Sequence, residues 1–168
     1  MRAELIFRTL GVAAVIGGGL RIADCFTGSV IDMTTLDRMY FATDVFLMLG
    51  LAGWYFSRAG RLGSPGLTGF VLSAVGILVI RSAQLFEPRG YMIGSVLFLI
   101  GLTVMNVLTI LRRDGAIAAP VLWNIALVFG ILALTSGPIA SIAGVIFGLG
   151  YIAAGIELWR HPVPAAPL

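Results

Sequence analysis

Arg21, Asp24, Asp37, Arg38, Tyr40, Asp44, Arg81, Gln84, Glu87 and Arg89 are the residues whose types and spacing could do chemistry together. All fall toward one end of the first four apolar segments. The chemistry they suit is charge pairing, binding of an anion or a lipid headgroup, or proton passage. Arg21/Asp24 and Arg81/Gln84 are each three apart, so each pair shares a helix face. Asp37, Tyr40 and Asp44 likewise fall on one face of the second helix. Arg81 sits about five residues inside its helix end, roughly 7 Å, and Asp44 lies about 9 Å in from Arg38 at 1.5 Å per residue.

Charge at that depth is costly and faces protein, a partner or a watery cavity. Arg21 and Arg81 are long enough to snorkel outward, but Asp44 is not. It needs water or a partner, and Arg21 and Arg81 are the candidates. Two arrangements satisfy this pattern. One is a salt-bridge network locking the first two hairpins together; the other is a polar cavity open to the outer face. In such a cavity Asp24, Asp44 and Glu87 could supply acid–base chemistry. The sequence leaves both arrangements open.

Other chemistries find no residues. His161 and Cys25 are the single histidine and cysteine, and they fall on opposite sides of the membrane, so a zinc site is not expected. No serine or cysteine has a histidine for triad chemistry, and no strand precedes a phosphate-binding glycine loop. The reading therefore assigns no catalytic residue, no metal and no cofactor. Asn106 and Asn124 fall mid-helix and are placed to hydrogen-bond between the fourth and fifth helices.

The elements that position these residues are set by composition. Of 168 residues, 59% are hydrophobic and 11% charged, with a mean hydropathy of +1.03. Soluble domains carry roughly 25% charged residues, and a spanning helix needs about 20 apolar residues. Six such runs fit, at 4–22, 39–57, 66–86, 89–111, 116–136 and 138–159. The expected fold is an all-α integral membrane protein. Its single transmembrane domain, 1–168, has six transmembrane helices in three tandem helical hairpins (4–57, 66–112 and 116–160) and a short tail at 161–168. The first segment imitates a secretory leader, but Asp24 stands where a small residue is needed before Cys25, so it is read as a retained helix.

All eleven basic residues are arginine. Threading six helices puts Arg2, Arg8, Arg58, Arg61, Arg112, Arg113 and Arg160 on one side. Arg21, Arg38, Arg81 and Arg89 fall on the other. The bias places both termini in the cytoplasm by the positive-inside rule, with the inner (plasma) membrane as the expected location. It is an orientation signal and offers nucleic acid no basic patch, so the expected partners are membrane lipids. Trp54, Tyr55 and Trp159 at one boundary, with Tyr40 and Tyr91 at the other, suit an aromatic belt.

Glycines recur in register. Gly76-Ile77-Leu78, Gly94 and Gly101 return 54 residues later as Gly130-Ile131-Leu132, Gly148 and Gly155. The first hairpin matches the second at Arg21/Arg81, Phe26/Phe86, Arg38/Arg89 and Tyr40/Tyr91, with nine extra residues assigned to an outer loop around Thr27–Asp32. Gly17-Gly18-Gly19, Gly90 with Gly94, and Ala140-Gly144-Gly148 let helix backbones approach closely. Internal packing is the expected use, with a homo-oligomer face as the alternative.

The third hairpin, Leu127-Val-Phe-Gly-Ile-Leu-Ala-Leu-Thr-Ser-Gly-Pro138 with Gly148-Leu-Gly-Tyr151 and Gly155-Ile156, resembles the short hairpin repeat of the HdeD-like membrane proteins. The resemblance is fullest over 122–160. It implies six helices in three hairpins and a bacterial stress or acid-tolerance setting, with no catalytic residues. The functional expectation is thus a non-enzymatic HdeD-like membrane protein. The alternatives are a small transporter or proton conductor, and a lipid-binding protein or enzyme, using the polar cluster.

Overall fold

Long apolar runs with no strand periodicity leave the backbone one way to satisfy its polar groups inside a bilayer, the α-helix. In the computed structural model the chain forms six: α1 (Arg2–Thr27), α2 (Met33–Phe56), α3 (Ala59–Phe86), α4 (Pro88–Leu111), α5 (Ala118–Leu132) and α6 (Gly137–Arg160). The structure describes residues 2–27, 32–86, 88–112, 117–133 and 137–161, without the side chains of 2, 83–86, 88–89 and 137–138. Among the described residues five helices are long and apolar enough to cross a bilayer. Their outward faces are apolar, with Val71, Leu78, Ile93, Val96, Ile100 and Ile142 among the exposed residues. The chain is a helical membrane protein.

Three boundaries differ from the sequence expectation. The extra length of the first hairpin is largely helix, since α1 runs to Thr27 and α2 starts at Met33. Asp32 makes the early start of α2 favourable by capping it, its carboxylate accepting from the Thr35 amide at 3.0 Å. The same hydrogen-bonding to Thr35 holds the Asp32 carboxyl below the usual carboxylate range. At the other end of α2 the chain turns at Ser57–Arg58, and α3 starts at Ala59, ahead of the 66–86 run. Gly63, with φ 62° and ψ −159°, breaks α3 near its start. That positive φ suits glycine, and Pro65 supplies no backbone donor to mend the break. Finally, α5 has 15 residues, about 22 Å at 1.5 Å per residue, and is shorter than the expected 116–136.

The helices run alternately up and down, and glycines set which ones touch most closely. Gly69 and Gly76 of α3 oppose Gly101 and Gly94 of α4; a Cβ on Gly69 would stand 2.8 Å from Gly101 O, and one on Gly94 2.8 Å from Gly76 O. Gly11 and Gly18 of α1 oppose Gly155 and Gly148 of α6 in the same manner, with 2.8 Å from a Gly11 Cβ to Gly155 O. Thus α6 presents its glycines to α1, and the first and last helices close the bundle. Gly130 of α5 meets nothing within 4 Å, so the sequence register that links it to Gly76 does not carry over into contact. Gly17 packs on Leu47 and Gly50 on Ala14, joining α1 to α2.

Candidate functional site: a polar cavity at one end of the bundle

Arg21 and Asp24 come from the last turns of α1, Tyr40, Thr43 and Asp44 from the first half of α2, Arg81 from the end of α3, and Tyr91 and Ser95 from the start of α4. Up-and-down topology gathers these at one end. They form the polar wall of a cavity of about 540 Å³ to which all six helices contribute. The facing wall is made of small and apolar residues: Ala126, Leu127, Gly130 and Ala133 of α5, and Ala140, Ala143, Gly144 and Phe147 of α6.

Asp44 is held by Arg81, whose Nε donates to Oδ2 at 2.9 Å and whose Nη2 lies 2.7 Å from the same oxygen. This pair ties α2 to α3. The Arg81 guanidinium also lies 5.7 Å from the Phe41 ring centroid. Asp24 is placed differently. It is only 7% exposed, and neither of its carboxyl oxygens receives a hydrogen bond. The neighbouring Thr43 hydroxyl donates to Met39 O at 2.9 Å within its own helix. Arg21 shares the Asp24 face of α1 and makes no side-chain hydrogen bond among the described residues. Its Nη2 lies 3.6 Å from where a Gly144 side chain would begin, and Cys25 Sγ would collide with that same side chain. Glycine at 144 therefore makes the room in which Arg21 lies across α6.

A chain of aromatic rings runs from the cavity lining, at Phe98 and Phe147, into the core. Phe98 and Phe147 stand 5.7 Å apart, Phe147 and Tyr151 5.2 Å, Tyr151 and Trp123 4.9 Å, and Trp123 and Trp54 5.6 Å. Trp54, Leu51 and Tyr151 are completely buried. At the opposite end Arg58 stacks 3.4 Å from the Trp54 ring centroid and donates to Glu157. Both members of that ion pair are nearly enclosed, at 5% and 12% exposure.

Both arrangements considered from the sequence thus coexist: a salt bridge between hairpins, and an open void beside it. Tyr40 joins Asp44 in the lining, but Asp37 and Arg38 are exposed to the outside and take no part in it. The expected shared face of Asp37, Tyr40 and Asp44 therefore stops short of Asp37. Gln84, Glu87 and Arg89 lie outside the residues whose side chains are described. Asn106 is buried with its Oδ1 unbonded and makes no bridge to Asn124. No group of three or more potential metal ligands occurs among the described residues.

Sequence reasoning missed the α5–α6 wall and the Arg58–Glu157 pair. The first had a signal in small residues spaced three and four apart, Ala126-Gly130-Ala133 and Ala140-Ala143-Gly144. The second joins the turn after α2 to the end of α6 and had no local signal in the sequence.

Comparison with protein-family models, curated proteins and solved structures finds no match to this chain in any of the three. The site must be read on its own geometry. A void lined by charged residues together with many small and apolar ones suits a molecule that is itself divided, with a polar head and an apolar tail.

Proposed function

We propose that this is a membrane-embedded binding protein whose cavity takes the polar head of an amphipathic ligand, with no enzymatic step. The carrying observation is the mixed lining: Arg21, Asp24, Asp44 and Arg81 from α1–α3 share one void with the small residues Ala126, Gly130, Ala140 and Ala143 of α5–α6. A void that holds both characters suits a ligand that has both. The buried lining residues Leu47 and Phe98 favour holding over passing a ligand through. The arginine bias supports cytoplasmic termini in an inner membrane, an orientation in which the cavity falls in the outer leaflet. The HdeD-like pattern of the third hairpin supports a role in bacterial envelope stress.

Native mass spectrometry of the full chain, released from detergent with one lipid species added at a time, tests this. Wild type is expected to hold one lipid saturably. Gly130→Phe, whose side chain starts in open space at the cavity wall, should melt like wild type and lose that lipid. Equal, non-saturating adducts on both proteins would overturn the reading.

A further inference from the structure

The proposed cavity contains two side chains of opposite charge, Arg21 and Asp24, that attract one another without a hydrogen bond between them. Asp24 is more than nine-tenths buried, lines the cavity, and accepts no hydrogen bond at either oxygen among the described residues. A buried carboxylate without donors costs several times what a satisfied one does, so its place is explained by a donor that arrives from outside the chain. Arg21, three residues earlier on the same face, offers a guanidinium with no hydrogen-bonded partner among the described residues and reaches across Gly144. The nearby Asp44 is already held by Arg81, which leaves Arg21 and Asp24 as an open donor and an open acceptor among the described residues of the cavity.

We infer that Arg21 and Asp24 together clamp a zwitterionic headgroup, Asp24 accepting N–H bonds from its primary ammonium and Arg21 donating to its phosphate or carboxylate. Arg21 and Asp24 lie three apart on one helix face, so a single headgroup carrying both an ammonium and an anion, such as an ethanolamine phosphate, can meet both. A purely anionic headgroup would satisfy Arg21 and crowd Asp24. A simple cation would do the reverse. The apolar α5–α6 wall takes the chains when the headgroup belongs to a lipid. Free phosphoethanolamine carries the same headgroup chemistry without chains.

This inference rests on the binding reading above, and its test separates the two. Dioleoyl phosphatidylethanolamine, dioleoyl phosphatidylglycerol and free phosphoethanolamine are titrated onto the full chain by native mass spectrometry. Phosphatidylethanolamine should bind at least about tenfold tighter than phosphatidylglycerol, one charge-assisted contact being worth that much. Asp24→Asn should bring the two to parity by weakening phosphatidylethanolamine alone; Arg21→Gln should weaken both. Binding of free phosphoethanolamine as tight as that of the lipid would assign the site to a soluble zwitterion; a chain requirement assigns it to a lipid. Equal wild-type affinity for phosphatidylethanolamine and phosphatidylglycerol would overturn the clamp and leave the cavity reading standing. No saturable binding of any probe would remove both. Should Asp24→Asn fail to fold, the wild-type headgroup preference decides the matter.

Discussion

Arg81 brings both Nε and Nη2 to a single oxygen of Asp44, at 2.9 and 2.7 Å. The contact links α3 to α2, two helices that belong to different hairpins. Each side chain keeps about a quarter of its exposure, 23% and 27%, through the cavity. The pair is therefore neither a dry buried bridge nor a screened surface one.

Breaking it from one side should weaken the tie between α2 and α3 and leave the remaining charge less well compensated. Asp44→Asn and Arg81→Gln are each expected to lower stability by roughly 1–3 kcal/mol, below the 3–5 typical of fully buried pairs. The double variant should lose less than the sum, giving a coupling of about 1 kcal/mol or more. Thermal melting of the four proteins in one detergent measures this. Strict additivity would show that the two residues do not depend on each other.

Asp32 gives a prediction in pH. Its carboxylate caps α2 through Thr35, and that bonding holds its pKa below the ordinary value of 3.8. A carboxyl lowered in the folded state contributes stability that is present above the unfolded value and lost as pH falls through the folded one. Amide-exchange protection at the start of α2, corrected for intrinsic rates, should hold at pH 6 and drop below about pH 4. Asp32→Ala should show weaker protection with no such step, and Asp32→Asn should keep the cap without the step. A wild-type profile matching Asp32→Ala would mean that the cap does not act in solution.

The helices, their number and the gathering of Arg21, Asp24, Asp44 and Arg81 at one end were legible in the sequence, because apolar run length and alternating topology decide them. The long α1 and α2 were harder to read: polar residues such as Asp32, Asp37 and Arg38 look like loop until a cap and an exposed helical face accommodate them. The Arg58–Glu157 pair joins residues 99 apart, a separation invisible to local pattern. The cavity itself depends on what is missing from α5 and α6, and small residues look the same in sequence whether they admit a helix or a ligand. Gly130 and Gly148 show the difference: one faces open space and the other faces Gly18.

That contrast among glycines yields the remaining prediction. Glycines 7 apart in α1 and α3 meet glycines 7 apart in α6 and α4, so the two helix pairs are held by the same backbone-to-backbone contact. Without water to drive helices together, such close packing is a main source of association in a bilayer. A methyl at Gly94 would stand 2.6 Å from the Ile80 nitrogen, and one at Gly148 2.6 Å from Gly18 O. Both neighbours are helix backbone and cannot yield without parting the helices. Gly94→Ala and Gly148→Ala should each cost about 1–3 kcal/mol, the usual range for overpacking. Gly19, on the same helix as Gly18, has nothing within 4 Å. There the helix propensity of alanine should win, leaving Gly19→Ala unchanged or up to about 1 kcal/mol more stable. Melting in detergent distinguishes these outcomes. Because α1/α6 and α3/α4 use the same contact, the losses at Gly148 and Gly94 should be similar. A loss confined to Gly94 would mean that α1 and α6 are held together by something other than their glycines.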